Sequence, residues 1–309
     1  MTRVGSARRA GLGASAIAVV GAIGLVGCAA ADGDSDPRVV VTTNILGDVA
    51  SELIGDAADV TTLMKPNADP HSFEISAQEA ATLQSAELVI SNGLGLEEGV
   101  EQHLEAAADA GAPRFIAADH LETIPYAEKA NGPDPHFWTD PARMIDVVEA
   151  LETELGEIGI DVSANAAAYL EDLAELDAEM SDAFARIPNE HRALVTNHHV
   201  FGYLADRFDF EVIGAAIPGG TTLASPSAAD LDELATAIDS SGVPAIFAES
   251  SQPDRLMQVL RSEADIDVAV IELFTESLTE PGGDADTYLS MMRENTERIT
   301  TGLTSERTP

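Results

Sequence analysis

Two of the seven histidines close the same tripeptide, Asp-Pro-His. Asp69 precedes His71 in ADPHSFE, and Asp134 precedes His136 in PDPHFW, with aromatic residues close behind each imidazole. Proline fixes its own φ angle and so stiffens the chain before the histidine. The aspartate can accept a ring N–H or stabilise the turn. Two imidazoles in matched, stiff settings indicate a paired role.

A third imidazole is available in LVTNHHVFGY (194–203), where His198 and His199 follow an apolar run. Neighbours on an extended chain point to opposite faces, so a single ion would use only one of the two. A carboxylate can come from ELFTES, which offers Glu272 and Glu276. Three imidazoles and a carboxylate are a common ligand set for a zinc-like cation. The sequence therefore predicts a cation site built from both halves of the chain.

The elements that must position these residues alternate between strand and helix patterns. Apolar runs rich in β-branched residues predict strands at 39–44, 59–64, 87–93, 114–119, 193–199, 211–217, 245–250 and 268–274. A long helical pattern, 163–187, separates the two sets of strands; Ser163 is a candidate cap and Pro188 ends it. Another helix is predicted to start at Pro141 and stop at Gly156. The predicted fold class is α/β, with two lobes, each a mostly parallel β-sheet flanked by helices, joined by one long rigid helix.

The first residues have the features of a secretory signal peptide: a basic start, an uncharged apolar stretch over 10–27, and small residues leading into Cys28. An uncleaved membrane anchor is the alternative, and either way the body lies outside the cytoplasmic membrane. The predicted segments are the signal peptide (1–28), a flexible tether (29–37), an N-terminal α/β lobe (38–160), the linking helix (161–188), a C-terminal α/β lobe (189–303) and a tail (304–309).

The composition excludes further classes of function and of metal ligand. The formal net charge is −38, which excludes a nucleic-acid-binding surface. Cys28 is the single cysteine, so the mature body has no disulfide and no thiolate for a metal or for nucleophilic attack. Any metal ligands must therefore be histidine, aspartate, glutamate or water.

Five motifs carry a specific resemblance. They are PHSFE (70–74), DPHFWTDP (134–141), LVTNHHVFGYLADRF (194–208), PAIFAESS (244–251) and ELFTESL…DADTYLSMMRENTERI (272–299). In this order they resemble the metal-binding solute-binding lipoproteins of zinc and manganese ABC importers, the periplasmic solute-binding protein family 9, cluster A-I type. The Leu-Val-Gly-Cys ending of the signal resembles a lipobox, which implies acylation of Cys28. The resemblance also implies a two-lobed fold that holds one divalent cation in its cleft.

The same resemblance implies the metal ligands. His71 and His136 match the first two, and counting from the Val-Thr pair makes His198 the third, with His199 as a neighbour in the second shell. The fourth ligand of the family is usually an aspartate, for which this chain has Glu276, one methylene longer. Direct coordination and coordination through water both stay open for it. Asp69, Asp134 and Glu249 are expected to contact the ligand side chains rather than the metal. For Glu249, a buried and paired structural acid is the alternative.

Zinc is the expected cargo because imidazole-rich sites suit zinc, whereas manganese prefers more oxygen ligands. Manganese or iron in the same role is the alternative. The resemblance implies a membrane permease and its ATPase as partners. We expect a monomer, anchored outside the cell membrane through lipid on Cys28, and no enzymatic activity. A secreted metallohydrolase and a surface adhesin are the alternatives from other classes; for the hydrolase, no His-Glu-x-x-His motif occurs.

Overall fold

The computed structural model describes residues 38–126, 132–217, 220–251, 255–263 and 268–305. The predicted signal peptide with Cys28, the tether and residues 306–309 of the tail lie outside the described residues. Among the residues that are described, no helix combines the length and the apolar character needed to span a membrane.

The first half forms one parallel sheet of four strands in the order β2-β1-β3-β4. The strands are β1 (Arg38–Val41), β2 (Asp59–Thr62), β3 (Leu88–Ser91) and β4 (Arg114–Ile116). Val40 lies in register with Thr61 on one side and Val89 on the other. The two central strands are almost entirely buried, as expected when helices cover both faces of a parallel sheet.

Three helices of the first half follow the sheet strands: α1 (Asn44–Ile54), α2 (Ala77–Gln84) and α3 (Glu101–Asp109). The Thr43 side chain accepts the backbone N–H of Leu46 and so caps α1 directly after β1. Ser76 and Glu79 form a reciprocal capping box at the start of α2. Both caps satisfy N–H groups that the first helical turn leaves without partners.

Two longer helices follow, α4 (Pro141–Glu157) and α5 (Ser163–Phe184). The prediction that Gly156 stops α4 is wrong: Gly156 lies within the last turn, and the left-handed residue is Gly159, with φ of 88°. Ser163 is also not the cap of α5. It is the first helical residue, and its N–H donates to Asp161. With 22 residues, α5 is roughly 33 Å long.

In its described residues, the second half contains two parallel strand pairs, β5 with β6 and β7 with β8. The strands are β5 (Ala193–Thr196), β6 (Glu211–Ala215), β7 (Ala245–Glu249) and β8 (Ala269–Leu273). The helices are α6 (Gly202–Phe208), α7 (Ala228–Ser241), α8 (Arg255–Glu263) and α9 (Tyr288–Thr304). All strand pairs in the described residues are thus parallel and flanked by helices, as the sequence predicts.

The helix α5 contributes its apolar face to a core shared by both halves. Leu173, Leu176 and Met180 are buried in the largest apolar cluster, which also contains Leu151 of α4 and Met292 of α9. The helix packs against α4 on one side and α9 on the other. The element that joins the halves in sequence therefore also joins them in packing.

Candidate metal centre

Three imidazole nitrogens converge on one carboxylate oxygen. Glu276 Oε1 lies 3.1 Å from His71 Nε2, 3.4 Å from His136 Nε2 and 3.2 Å from His198 Nε2. The Nε2 atoms of His136 and His198 are 3.4 Å apart. One ligand atom from each of the four residues lies within 4.8 Å of the others, and all four side chains are buried. Such a set supplies the four ligand atoms of a tetrahedral cation site.

The four residues come from loops at different points of the fold. His71 follows β2, His198 comes two residues after β5, and Glu276 comes three residues after β8. His136 stands in front of the short helical turn that leads into α4. Three of these loops leave the carboxyl ends of parallel strands, where open α/β sheets bind their ligands.

The ring of His136 is oriented by its own tripeptide. Asp134 Oδ1 accepts the backbone N–H of His136 at 2.9 Å and lies 2.7 Å from its Nδ1. A carboxylate at Nδ1 holds a proton there, so Nε2 is the nitrogen that faces the cluster and can bind a cation once its own proton leaves. Burial lowers the pKa of His136, but the charge and hydrogen bond of Asp134 outweigh it, and the net shift is upward.

The ring of His198 is oriented by a residue from another strand. Glu249, at the end of β7, places Oε1 2.5 Å from His198 Nδ1 and accepts the backbone N–H of His198 at 3.2 Å. Burial opposes protonation of His198, but the charges of Glu249 and Glu276 raise its pKa well above the ordinary value. Here too, the nitrogen that faces the cluster is Nε2.

His71 is supported differently. Asp69 Oδ1 accepts the backbone N–H of His71 at 2.9 Å, while Asp69 Oδ2 accepts the hydroxyls of Ser72 and Thr222. The ring Nδ1 instead faces Glu98 Oε1 at 3.8 Å, too far for a hydrogen bond. The Glu98 side chain is 44% exposed, so this ring has the weakest carboxylate partner of the three.

The loop that carries Glu276 is held mainly by residues of the first half. Trp138 Nε1 donates to the carbonyl of Thr275 at 2.8 Å. The amide of Asn44 donates to Ser277 Oγ and accepts the backbone N–H of Leu278. These bonds fix the backbone on both sides of the carboxylate.

The carboxylate of Glu276 is electrostatically matched to the imidazoles. Burial would raise its pKa, but hydrogen bonds from the three imidazoles and the charge of His198 hold the pKa well below its usual range. An ionised carboxylate among three imidazoles presents one negative charge and three neutral nitrogen donors once the ring protons leave. This arrangement suits a divalent cation.

Comparison with known proteins decides the family. Residues 39–302 match the family described as "ZnuA: Zinc-uptake complex component A periplasmic". The chain belongs to this family. It is a solute-binding component of a metal ABC importer and not an enzyme, and the predicted resemblance and the two-lobed α/β fold are confirmed.

Individual members of the family show how far the likeness extends. The "Zinc-binding protein TroA" of Treponema pallidum is 31% identical over 287 residues, 89% of this chain and 91% of TroA. A solved structure of TroA superposes with a TM-score of 0.79 at 29% identity, covering 87% of this chain and all of that chain. The "Manganese-binding lipoprotein MntA" of Halalkalibacterium halodurans is 28% identical over 298 residues, 94% of this chain and 97% of MntA. The "Iron-binding protein YfeA" of Yersinia pestis is 27% identical over 275 residues, 86% of each chain.

The structure brings together the four residues that the sequence predicts as ligands, namely His71, His136, His198 and Glu276. Asp134 and Glu249 contact the rings of His136 and His198 directly, whereas Asp69 accepts the backbone N–H of His71. His199 is half-buried and is not part of the four-residue cluster found in the described portion of the chain. Glu272 lies exposed near the end of β8. Cys28 lies outside the described residues.

The prediction that a strand runs through 193–199 is wrong at its end. β5 stops at Thr196, whose hydroxyl donates to the carbonyl of His198, and the chain bends there. His198 and His199 therefore do not lie on a strand, and strand alternation does not separate them. They differ because the ring and backbone of His198 are both held by Glu249.

A buried support of the site that the sequence did not predict involves Glu97. Glu97 Oε1 accepts Thr42 Oγ1 at 2.7 Å and the backbone N–H of Asn92 at 2.6 Å. The Asn92 amide donates in turn to the carbonyl of Pro135, next to His136. Polar residues directly after the apolar strand β3, in SNGLGLEE, were the available signal.

Proposed function

We propose that this chain captures one divalent transition-metal cation, zinc, with His71, His136, His198 and Glu276, and delivers it to a permease and its ATPase. The observation that carries the proposal is the convergence of three Nε2 atoms on Glu276 Oε1, at 3.1–3.4 Å. A cation at the centre would replace the contacts that the carboxylate now makes to the rings. Because Glu276 Oε1 already lies among the three Nε2 atoms, we expect Glu276 to coordinate the cation directly rather than through water.

The donor set supports zinc over manganese and iron. Three imidazoles and one carboxylate fit tetrahedral zinc, whereas manganese prefers a larger share of oxygen ligands. The relatives carry names for manganese, zinc and iron, so the choice of metal rests on donor chemistry and on the following measurement.

Native mass spectrometry of the purified protein, offered equal zinc and manganese, measures that choice. We expect one zinc ion per chain, and manganese only when zinc is withheld. Retention of manganese or iron in the presence of competing zinc would overturn the assignment of the metal.

The ligand assignment is tested by the histidine doublet. His198→Ala should abolish tight zinc binding, because it removes a ligand and leaves Glu249 buried without the imidazole. His199→Ala is the matched control, one residue away, and should largely preserve binding. Equal losses from the two variants would contradict the assignment.

We further propose that the protein acts as a monomer anchored to the outer face of the cell membrane through lipid on Cys28. The support is the sequence Leu-Val-Gly-Cys at the end of an apolar, uncharged segment. Cys28→Ser should release the protein from the membrane fraction, and light scattering of the detergent-solubilised protein should give the mass of one chain. Unchanged membrane association of Cys28→Ser would reject the lipid anchor.

A further inference from the structure

The segment that carries His198 also contacts Asp134, whose carboxylate lies beside the ring of His136. Tyr203, in the first turn of α6, donates its hydroxyl to the carbonyl of Asp134 at 2.9 Å and accepts the N–H of Ile124 at 3.3 Å. Burial raises the pKa of Tyr203 to about 12, so the hydroxyl keeps its proton for donation. Both hydrogen-bonding functions of this hydroxyl are therefore used to hold the chain next to Asp134.

The residue before Tyr203 leaves room for the Asp134 carboxylate. A Cβ atom at Gly202 would lie 2.3 Å from Asp134 Oδ2, closer than real Cβ contacts allow. Any side chain at this position must displace the carboxylate whose other oxygen lies 2.7 Å from His136 Nδ1. Tyr203 and Gly202 thus constrain the backbone and the side chain of the same aspartate.

We propose that Gly202 and Tyr203 are positioning residues for metal binding, which orient the His136 ring through Asp134. The inference rests on the proposed function, since it requires His136 to be a ligand. Its consequence is that one short segment, 198–203, supplies one ligand and fixes the orientation of a second. The two ligands then form a single unit, although they come from different halves of the chain.

The principal test compares two buried tyrosines. Tyr203→Phe removes the hydroxyl that holds Asp134, while Tyr169→Phe removes a buried hydroxyl that has no hydrogen-bond partner among the described residues. In competition with a chromophoric zinc chelator, Tyr203→Phe should weaken zinc binding about tenfold, the lower end of the effect of outer-shell partners. Tyr169→Phe should bind zinc as the wild type does.

A second pair of variants tests the space beside Asp134. Gly202→Ala should weaken zinc binding at least as much as Tyr203→Phe, because the added methyl displaces the carboxylate. Gly156→Ala adds the same methyl within α4, where no described atom lies within 4 Å, and should leave zinc affinity unchanged.

Two further readouts separate positioning from a loss of folding. The thermal midpoint of the metal-free protein should stay within the range of the control variants. The d–d absorption of the cobalt-substituted protein should change for Tyr203→Phe and Gly202→Ala, but not for Tyr169→Phe or Gly156→Ala. In a double-mutant cycle, Tyr203→Phe should cost much less in the Asp134→Asn background, because both changes act on one partner of His136.

The outcomes distinguish this inference from the function on which it rests. If wild-type protein and His136→Ala bind zinc equally, the proposed function fails. If His136→Ala loses zinc while Tyr203→Phe matches Tyr169→Phe in affinity and cobalt spectrum, only the positioning role is rejected. Full additivity with Asp134→Asn would likewise reject it.

Discussion

The two Asp-Pro-His loops have the same tripeptide and the same Asx turn, in which the side chain bonds the backbone two residues on, yet they hold their imidazoles differently. In each loop the aspartate Oδ1 accepts the histidine N–H at 2.9 Å. Asp134 also contacts the ring of His136, whereas Asp69 bonds Ser72 and Thr222. A short sequence therefore determines the turn, but the surroundings determine the other contacts that the carboxylate makes.

Burial explains the divergence. Asp134 is almost fully buried beneath Gly202 and Tyr203, so its carboxylate is shielded from water and contacts the His136 ring instead. Asp69 is half-buried, and Thr222 competes for its Oδ2 with a 2.6 Å hydrogen bond. The first loop is consequently the less constrained support of a ligand.

The largest expected effect treats both loops alike. His71→Ala and His136→Ala should each weaken zinc binding by more than about 100-fold, beyond the 10–100-fold range of outer-shell changes. Both rings present Nε2 to Glu276 Oε1, at 3.1 and 3.4 Å, so we expect both to bind the cation. Competition against chelators of graded affinity measures this, and a His71→Ala variant that keeps near-wild-type affinity would show that the loops differ in ligation itself.

The second prediction separates the loops. Asp134→Asn should weaken zinc binding by roughly 10–100-fold because it removes the charge at His136 Nδ1. Asp69→Asn is the matched control in the same tripeptide and should cost clearly less, since its carboxylate contacts the backbone rather than the ring. Equal losses would mean that the turn, rather than the ring contact, is what each aspartate contributes.

The features that could be predicted are those set by residues close to each other in the sequence. The turn and the stiff approach to the ring follow from adjacent residues, and the strands follow from β-branched runs. The ends of elements were harder to predict. Helix α4 passes Gly156 and ends at Glu157, with the backbone N–H of Ile158 bonded back to the last turn, and β5 stops at Thr196, whose hydroxyl donates to the carbonyl of His198. The support of Asp134 by Tyr203 spans 69 positions, and no local pattern encodes such a contact.

The third prediction concerns pH. Protons compete with the cation for imidazole, so zinc affinity should fall as the pH is lowered. Because the pKa values of His136 and His198 are raised, this loss should already begin at a pH above the ordinary imidazole pKa of about 6.5. Removing the Asp134 charge lowers the pKa of His136, so Asp134→Asn should shift the fall to lower pH, whereas Asp69→Asn should not. Zinc affinity measured across the pH range checks this, and a shift to higher pH in Asp134→Asn would refute it.

The smallest expected effect belongs to the less constrained loop. Glu98→Gln removes the carboxylate nearest His71 Nδ1, but the 3.8 Å separation and the 44% exposure of Glu98 place it among weak surface pairs. Such pairs contribute about 0–1 kcal/mol, which limits the loss of zinc affinity to about fivefold. Glu101→Gln, on an exposed glutamate in the first turn of α3, is the control for a change of net charge. A loss as large as that of Asp134→Asn would mean that Glu98 closes onto His71 when the cation binds, and the two loops would then be equivalent in the loaded protein.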